Sequence, residues 1–202
     1  MPVRLNGSTS GYTELSAPAV AGSNTLTLPT GNGTSGQFLQ TNGSGALSWA
    51  GGGKILQVVE TSYTASASSV TAIPLDNTIP QNTEGTQILS ASITPASSSN
   101  KLFIQVSFPF VDADAGRSVF AALFQDSTAN ALAGGVVILV GSDYSNNIYF
   151  SHYMTAGTTS STTFKVRYGP NIGTAYINRR GSNDANYGNV CATRMTIMEI
   201  AA

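Results

Sequence analysis

The strongest constraint in this sequence is the run 101–110, in which Leu102, Ile104, Val106, Phe108 and Phe110 occupy every second position. Five apolar residues in strict alternation put one face of an extended strand against a core and leave the other outside. A helix built from the same residues would scatter them around its circumference. Pro109 has no N–H to give a neighbouring strand, so it marks an edge or a bulge at that end.

Further strands are predicted at 55–60, 87–93, 119–125, 136–140, 148–154, 163–168, 175–178 and 194–200, separated by Gly, Asn, Ser and Asp loops. The stretch 119–125 suits either a strand or a helical turn, because Ala121, Ala122 and Leu123 stand together. Eight to nine strands without a clear helical segment point to an all-β fold, a β-sandwich of jelly-roll type.

Residues 1–50 read differently. Gly, Asn, Ser or Pro interrupts them every few positions, and only short strands are expected, at 26–29, 37–41 and 46–49. Asn-Gly pairs at 32–33 and 42–43 are turn signals, since both central residues of a tight hairpin turn need positive φ. Strands this short bury too little surface to stand alone, so other chains or another surface must complete the core. Gly51, Gly52 and Gly53 follow, with the maximal backbone freedom expected of a hinge. The organisation expected is an attachment segment at 1–50, a hinge at 51–53 and a sandwich domain at 54–202.

Charge narrows the partners. Only 9% of the 202 residues are charged, against about 25% in ordinary soluble domains, and Ser plus Thr make up roughly a quarter of the chain. Nine basic against ten acidic side chains offer no field to neutralise phosphates, so nucleic acid and anionic membrane surfaces are not expected partners. The most apolar stretch, 131–140, is about half of what a bilayer crossing needs, and reads as a buried strand. No membrane insertion is expected. The first residues lack the apolar centre of a secretory leader. One cysteine, Cys191, leaves no internal disulfide to form.

Catalytic chemistry finds little material, and no enzyme activity, cofactor or metal is expected. The single histidine, His152, shares parity with Ile148, Phe150 and Met154, which reads as a packed or interfacial residue. No Gly-x-Ser-x-Gly elbow is present to raise a nucleophilic serine. Asp112 and Asp114, with Asp126 further on, are oxygen ligands in kind, yet the calcium-loop pattern is absent and turn capping is the reading adopted. Binding chemistry is better represented. The loops 141–147 and 179–189 mix Tyr, Asn, Ser, Gly and Arg, giving rigid aromatic area with adaptable hydrogen bonds. Their candidates for ligand contact are Tyr144, Asn146, Asn147, Arg179, Arg180, Asn183 and Tyr187. Lys165 and Arg167 add to Arg179 and Arg180 a concentration of positive charge in the last quarter.

Three stretches carry a family likeness: Gly11-Tyr12-Thr13-Glu14-Leu15, then Leu26-Thr27-Leu28-Pro29, then residues 36–49 ending in Leu47-Ser48-Trp49. They resemble a module of tail-fibre and other fibrous virion proteins of bacteriophages, marine and cyanobacterial ones especially. Downstream, residues 76–85, Ile93-Thr94-Pro95 and Asn100-Lys101-Leu102 are similar to the head domain that follows that module. The resemblance implies a homotrimeric virion protein. Its N-terminal part would intertwine or anchor to other tail or capsid proteins, and its C-terminal knob would be a jelly roll of the tumour-necrosis-factor or complement type. It also implies host recognition; the loop chemistry, with Tyr faces suited to sugar C–H surfaces and Asn or Asp to their hydroxyls, makes a cell-surface polysaccharide the expected ligand. A capsid decoration anchored by the same N-terminal segment is the alternative.

Overall fold

The computed structural model describes residues 3–6, 8–16, 18–20, 22–51, 54–113, 116–139, 145–179, 188 and 190–202. The chain divides into two compact units, Met1–Gly53 and Lys54–Ala202.

The first unit holds two antiparallel hairpins, β1 (Val3–Asn6) with β2 (Tyr12–Leu15), and β3 (Gln37–Thr41) with β4 (Leu47–Gly51). Arg4 ties the first hairpin through an ion pair with Glu14 at 2.6 Å and by standing 4.4 Å over the Tyr12 ring. In the second, Asn42 Oδ1 accepts from the N–H groups of Ser44 and Ala46 and closes the turn. The Trp49 indole donates to the Gly31 carbonyl at 2.6 Å and lies so close to Gly33 that any Cβ there would fall 2.7 Å from the ring. None of the described residues in this unit is buried. Val3, Leu5, Leu15, Leu26, Leu28 and Phe38 all stand exposed. The expected strand at 26–29 is no more than one parallel bridge, Thr27 to Ala46, and β1 and β2 form where no strand was expected. The reason is partnership: the ladder needs a second strand, and Thr27 finds one residue of it. Gly51, the first of the three expected hinge glycines, ends β4, paired with Gln37. Gly52 and Gly53 lie outside the described residues.

The second unit contains β5 (Ile55–Tyr63), β6 (Ala67–Ser69), β7 (Thr86–Ile93), β8 (Lys101–Ala113), β9 (Ser118–Gln125), β10 (Ala133–Ile138), β11 (Asn146–Thr155), β12 (Thr162–Pro170), β13 (Ala175–Ile177) and β14 (Thr193–Ile200). One sheet runs β10-β9-β12-β7. In the other, β8 is flanked by β14 and then β5 on one side and by β11 on the other, with β13 and β6 extending its far end. All pairings between these strands are antiparallel. With β6 and β13 set aside, the remaining eight strands form two four-stranded sheets joined by crossing connections, which is the jelly roll.

Its core comes from the inward parity of both sheets. Leu102, Ile104, Val106 and Phe108 of β8 are fully buried, with Met195 and Ile197 of β14 beside them and Phe164 and Val166 of β12 opposite. Phe110 departs from the expected alternation. The β8–β11 register jumps between Asn146 and Ile148, a bulge opposite Pro109, so Val111 and Ala113 take the core face and Phe110 does not.

Tyr168 also points into the core, its ring centroid 6.1 Å from that of Phe108. The hydroxyl has no hydrogen-bond partner among the described residues, and burial, with Tyr63 nearby, pushes its pKa far above the ordinary phenol value. A buried hydroxyl without a partner costs more than a ring carbon in its place. Tyr168→Phe is therefore expected to raise stability by about 1 kcal/mol, seen as a thermal midpoint about 2–4 °C higher in a calorimetric scan.

Candidate functional site

The long segment between β6 and β7 positions the site. It crosses the outer face of the β10-β9-β12-β7 sheet and is tacked down at both flanks. On one side Ile73 N–H donates to the Pro170 carbonyl at 3.0 Å, and Arg167 donates to the carbonyls of Glu84 and Gly85 at 2.6 and 2.7 Å. On the other, Asn82 N–H donates to the Ala129 carbonyl and Ala131 N–H to the Pro80 carbonyl. The close approach depends on two glycines. A Cβ on Gly169 would lie 2.2 Å from the Thr71 carbonyl oxygen, and one on Gly85 would lie 2.8 Å from the Tyr168 carbonyl oxygen. Beneath the segment Ala122 and Phe124, which have outward parity on β9, are as buried as the core. Gly169→Ala must push backbone away from backbone and is expected to cost about 1–3 kcal/mol. Limited proteolysis reads it as faster cleavage within 71–85.

Two clefts flank this segment. The larger, about 470 Å³, is lined by Asp76, Ile79 and Pro80 on one wall and by Phe120, Leu132 and Val136 on the sheet side. Asp76 is the one titratable side chain among the described residues of its lining. The Thr78 hydroxyl and N–H both donate to Asp76 Oδ1, at 2.6 and 2.8 Å, and these bonds lower its pKa. An apolar floor with one fixed carboxylate and neighbouring amides is binding chemistry. The smaller cleft, about 290 Å³, is lined by Asn82, Gln87, Phe124, Asp126, Lys165 and Arg167.

Of the loop residues expected to bind, Asn146 opens β11 opposite Val111, and its Oδ1 accepts from Asn147 N–H at 2.9 Å; both are exposed. Arg179 is half-buried with its guanidinium 4.7 Å over the Tyr176 ring. Val111 pairs with Asn146 on one side and with Ile177 on the other, so the described ends of the two loops meet at the same end of β8. Tyr144, Arg180, Asn183 and Tyr187 lie outside the described residues.

His152 sits on β11 opposite Ile104, half-buried, and desolvation lowers its pKa. Cys191 is a free, half-buried thiol. Asp112 is buried and accepts from Ala113 N–H, whereas Asp126 caps the start of β12 through Thr162 and Thr163. Asp114 lies outside the described residues. Among the described residues, no three His, Cys, Asp or Glu side chains gather as a metal-binding group. Both clefts escaped the sequence reading because their walls come from segments far apart in the chain, and part of what shapes them is backbone.

No protein-family model matches the chain, and no curated protein does. Solved structures do. The EclA C-terminal domain, a sugar-binding protein, is similar at 16% identity and a TM-score of 0.32, over 58% of this chain and 76% of that one. The Eiger tumour necrosis factor of S. frugiperda is similar at 8% identity and 0.38, over 71% and 93%. The infectious bursal disease virus VP2 subviral particle is similar at 12% and 0.36, over 76% and 39%. The jelly-roll assignment stands on the strand pairing of this chain and not on these likenesses.

Proposed function

We propose that this chain is a homotrimeric, non-catalytic virion fibre protein. In this reading residues 1–50 attach to other virion proteins, and the jelly-roll unit recognises a host-surface glycan through its loops and flanking clefts. Three copies of one weak site give avidity that a single site lacks. The single observation that carries the reading is the absence of any buried residue among the described part of the first unit, beside the exposed Val3, Leu5, Leu15 and Phe38. Hairpins of this kind gain stability only when copies or a docking surface cover them. The resemblance to phage fibre modules supplies the expected copy number and the setting on the particle.

Light scattering on the full chain tests it. A mass three times 20.8 kDa supports the reading, and a monomer at micromolar concentration overturns it.

A further inference from the structure

Lys165 and Arg167 stand two apart on β12, so both side chains leave the outer face of the sheet on the same side. Their hydrogen bonds go to main-chain oxygens: Lys165 Nζ to the Asp126 carbonyl at 2.8 Å, Arg167 Nε to the Glu84 carbonyl and Nη2 to the Gly85 carbonyl. Among the described residues the ion pairs are Arg4–Glu14 and Arg194–Glu60, so no carboxylate oxygen comes within 4 Å of either cation. An ammonium has three donors and a guanidinium five. Two N–H groups of Lys165 and three of Arg167 are thus left over, on side chains whose geometry the carbonyls have already fixed. Both residues line the 290 Å³ cleft.

The rest of the lining suits a sugar. Asn82 spends its amide N–H groups on the carbonyls of Ser127 and Thr128, at 3.2 and 3.1 Å, leaving Oδ1 as an acceptor. Gln87, exposed and paired with Arg167 across β7, brings a second amide. Phe124 forms the floor. Asp126 lines the cleft too, with one carboxylate oxygen accepting from Thr163 N–H and the other from the Thr162 hydroxyl. Two cations against one carboxylate leave a net positive charge in a chain that has few charges to spend.

We propose that this cleft is a subsite for an acidic sugar, whose carboxylate is held by Lys165 and Arg167 and whose hydroxyls meet Asn82 and Gln87. The sugar part rests on the glycan reading given above, and the anion part on the two cations alone. Arg167 also pins the segment at Glu84 and Gly85, so its replacement disturbs the fold. The variants to use are Lys165→Gln, which removes a charge while leaving the pin, and Gln87→Glu, which places a negative charge at an exposed position.

The full chain is titrated at low salt with trigalacturonate, with neutral galactotriose and with sodium sulfate, binding being read by calorimetry or protein-detected NMR. Trigalacturonate is expected to bind with a Kd of about a millimolar, and each variant to weaken it about tenfold or more, the loss expected for one charge-assisted contact. Galactotriose is expected to bind at least about tenfold more weakly, the same contact being absent. Unchanged binding in both variants, or no saturable binding of trigalacturonate, overturns the subsite. Sulfate binding as tightly as trigalacturonate, and lost in both variants, supports the anion part and overturns the sugar part. Capture of wild-type protein by a neutral host polysaccharide, when trigalacturonate fails, overturns this subsite and leaves the glycan reading standing.

Discussion

Glu199→Ala is expected to lower the thermal midpoint by about 6–12 °C, the equivalent of about 3 kcal/mol in a domain of this size. Glu199 is buried on the core parity of β14, opposite Leu102 on β8 and Gln57 on β5. Its carboxylate accepts from Gln57 Nε2 at 2.5 Å, Asn100 Nδ2 at 2.6 Å and Ala96 N–H at 2.8 Å. The tie therefore joins two strands, β5 and β14, to the turn between β7 and β8. Truncation leaves the Asn100 amide buried without its acceptor and frees the turn. Burial pushes the Glu199 pKa up, but the bonds from Asn100, Gln57, Ala96 and Ser97 outweigh it and hold the carboxyl below its ordinary value of 4.5. A group whose folded pKa is depressed contributes stability that is complete above the unfolded pKa and is lost as pH falls through the folded one. Wild-type stability is thus expected to drop on acidification below about pH 4.5. Glu199→Gln, which keeps the shape but does not titrate, should lose part of the stability at neutral pH and show a flatter acid limb. Chemical denaturation at a series of pH values reads both. Equal acid limbs in wild type and variant would count against this tie.

The same residues show what a sequence can and cannot disclose. Strict alternation revealed β8 because that strand has one face in the core, and Pro109 correctly signalled a bulge. The residue just past it, Phe110, was misplaced, since an inserted residue reverses parity for everything after it. β9 was ambiguous between strand and helix for a physical reason: Val119, Ala121 and Leu123 face the core while Ala122 and Phe124 are covered by the segment 71–85, so nothing alternates. That covering segment has no apolar period of its own and depends on the meeting of Gly85 and Gly169, which stand 84 positions apart in the sequence and cannot be matched without the fold. The stretch from Thr94 to Asn100 is the turn that Glu199 and Gln57 clasp. Its signal lay in a carboxylate about a hundred residues away, separated from it by the whole sandwich. Loops chosen for Tyr, Asn and Arg content converge, in their described ends, on Val111. The charge count had already set Lys165 and Arg167 apart, but which bonds they make depends on carbonyls that no sequence displays.

Phe103→Glu is expected to convert the proposed trimer to a monomer while leaving the sandwich folded. Cross-strand register places Val58, Met198, Phe103 and Tyr153 side by side in one row over β5, β14, β8 and β11, on the face away from the core. Val58 is 56% exposed and Tyr153 58%, and the Phe103 and Tyr153 rings sit 6.4 Å apart. Leu56 and Tyr149 extend the apolar area, the Tyr149 hydroxyl accepting from the Gln105 amide. A row of this kind across four strands is what a subunit contact covers, because single exposed apolar residues are common and contiguous ones are not. An unpaired carboxylate buried in that contact costs about 3–5 kcal/mol, which weakens association by about two to four orders of magnitude. Within the monomer Phe103 is half-buried on the outer face of the sheet and outside the core, so circular dichroism should keep its β-sheet signature and the melt should fall by less than a core substitution would cause. Val136→Glu, at an exposed position of β10 in the opposite sheet, serves as the control and is expected to leave the mass unchanged. A trimer that survives Phe103→Glu would move the subunit contact off this sheet, and leave the exposed hairpins of the first unit as the place where the copies meet.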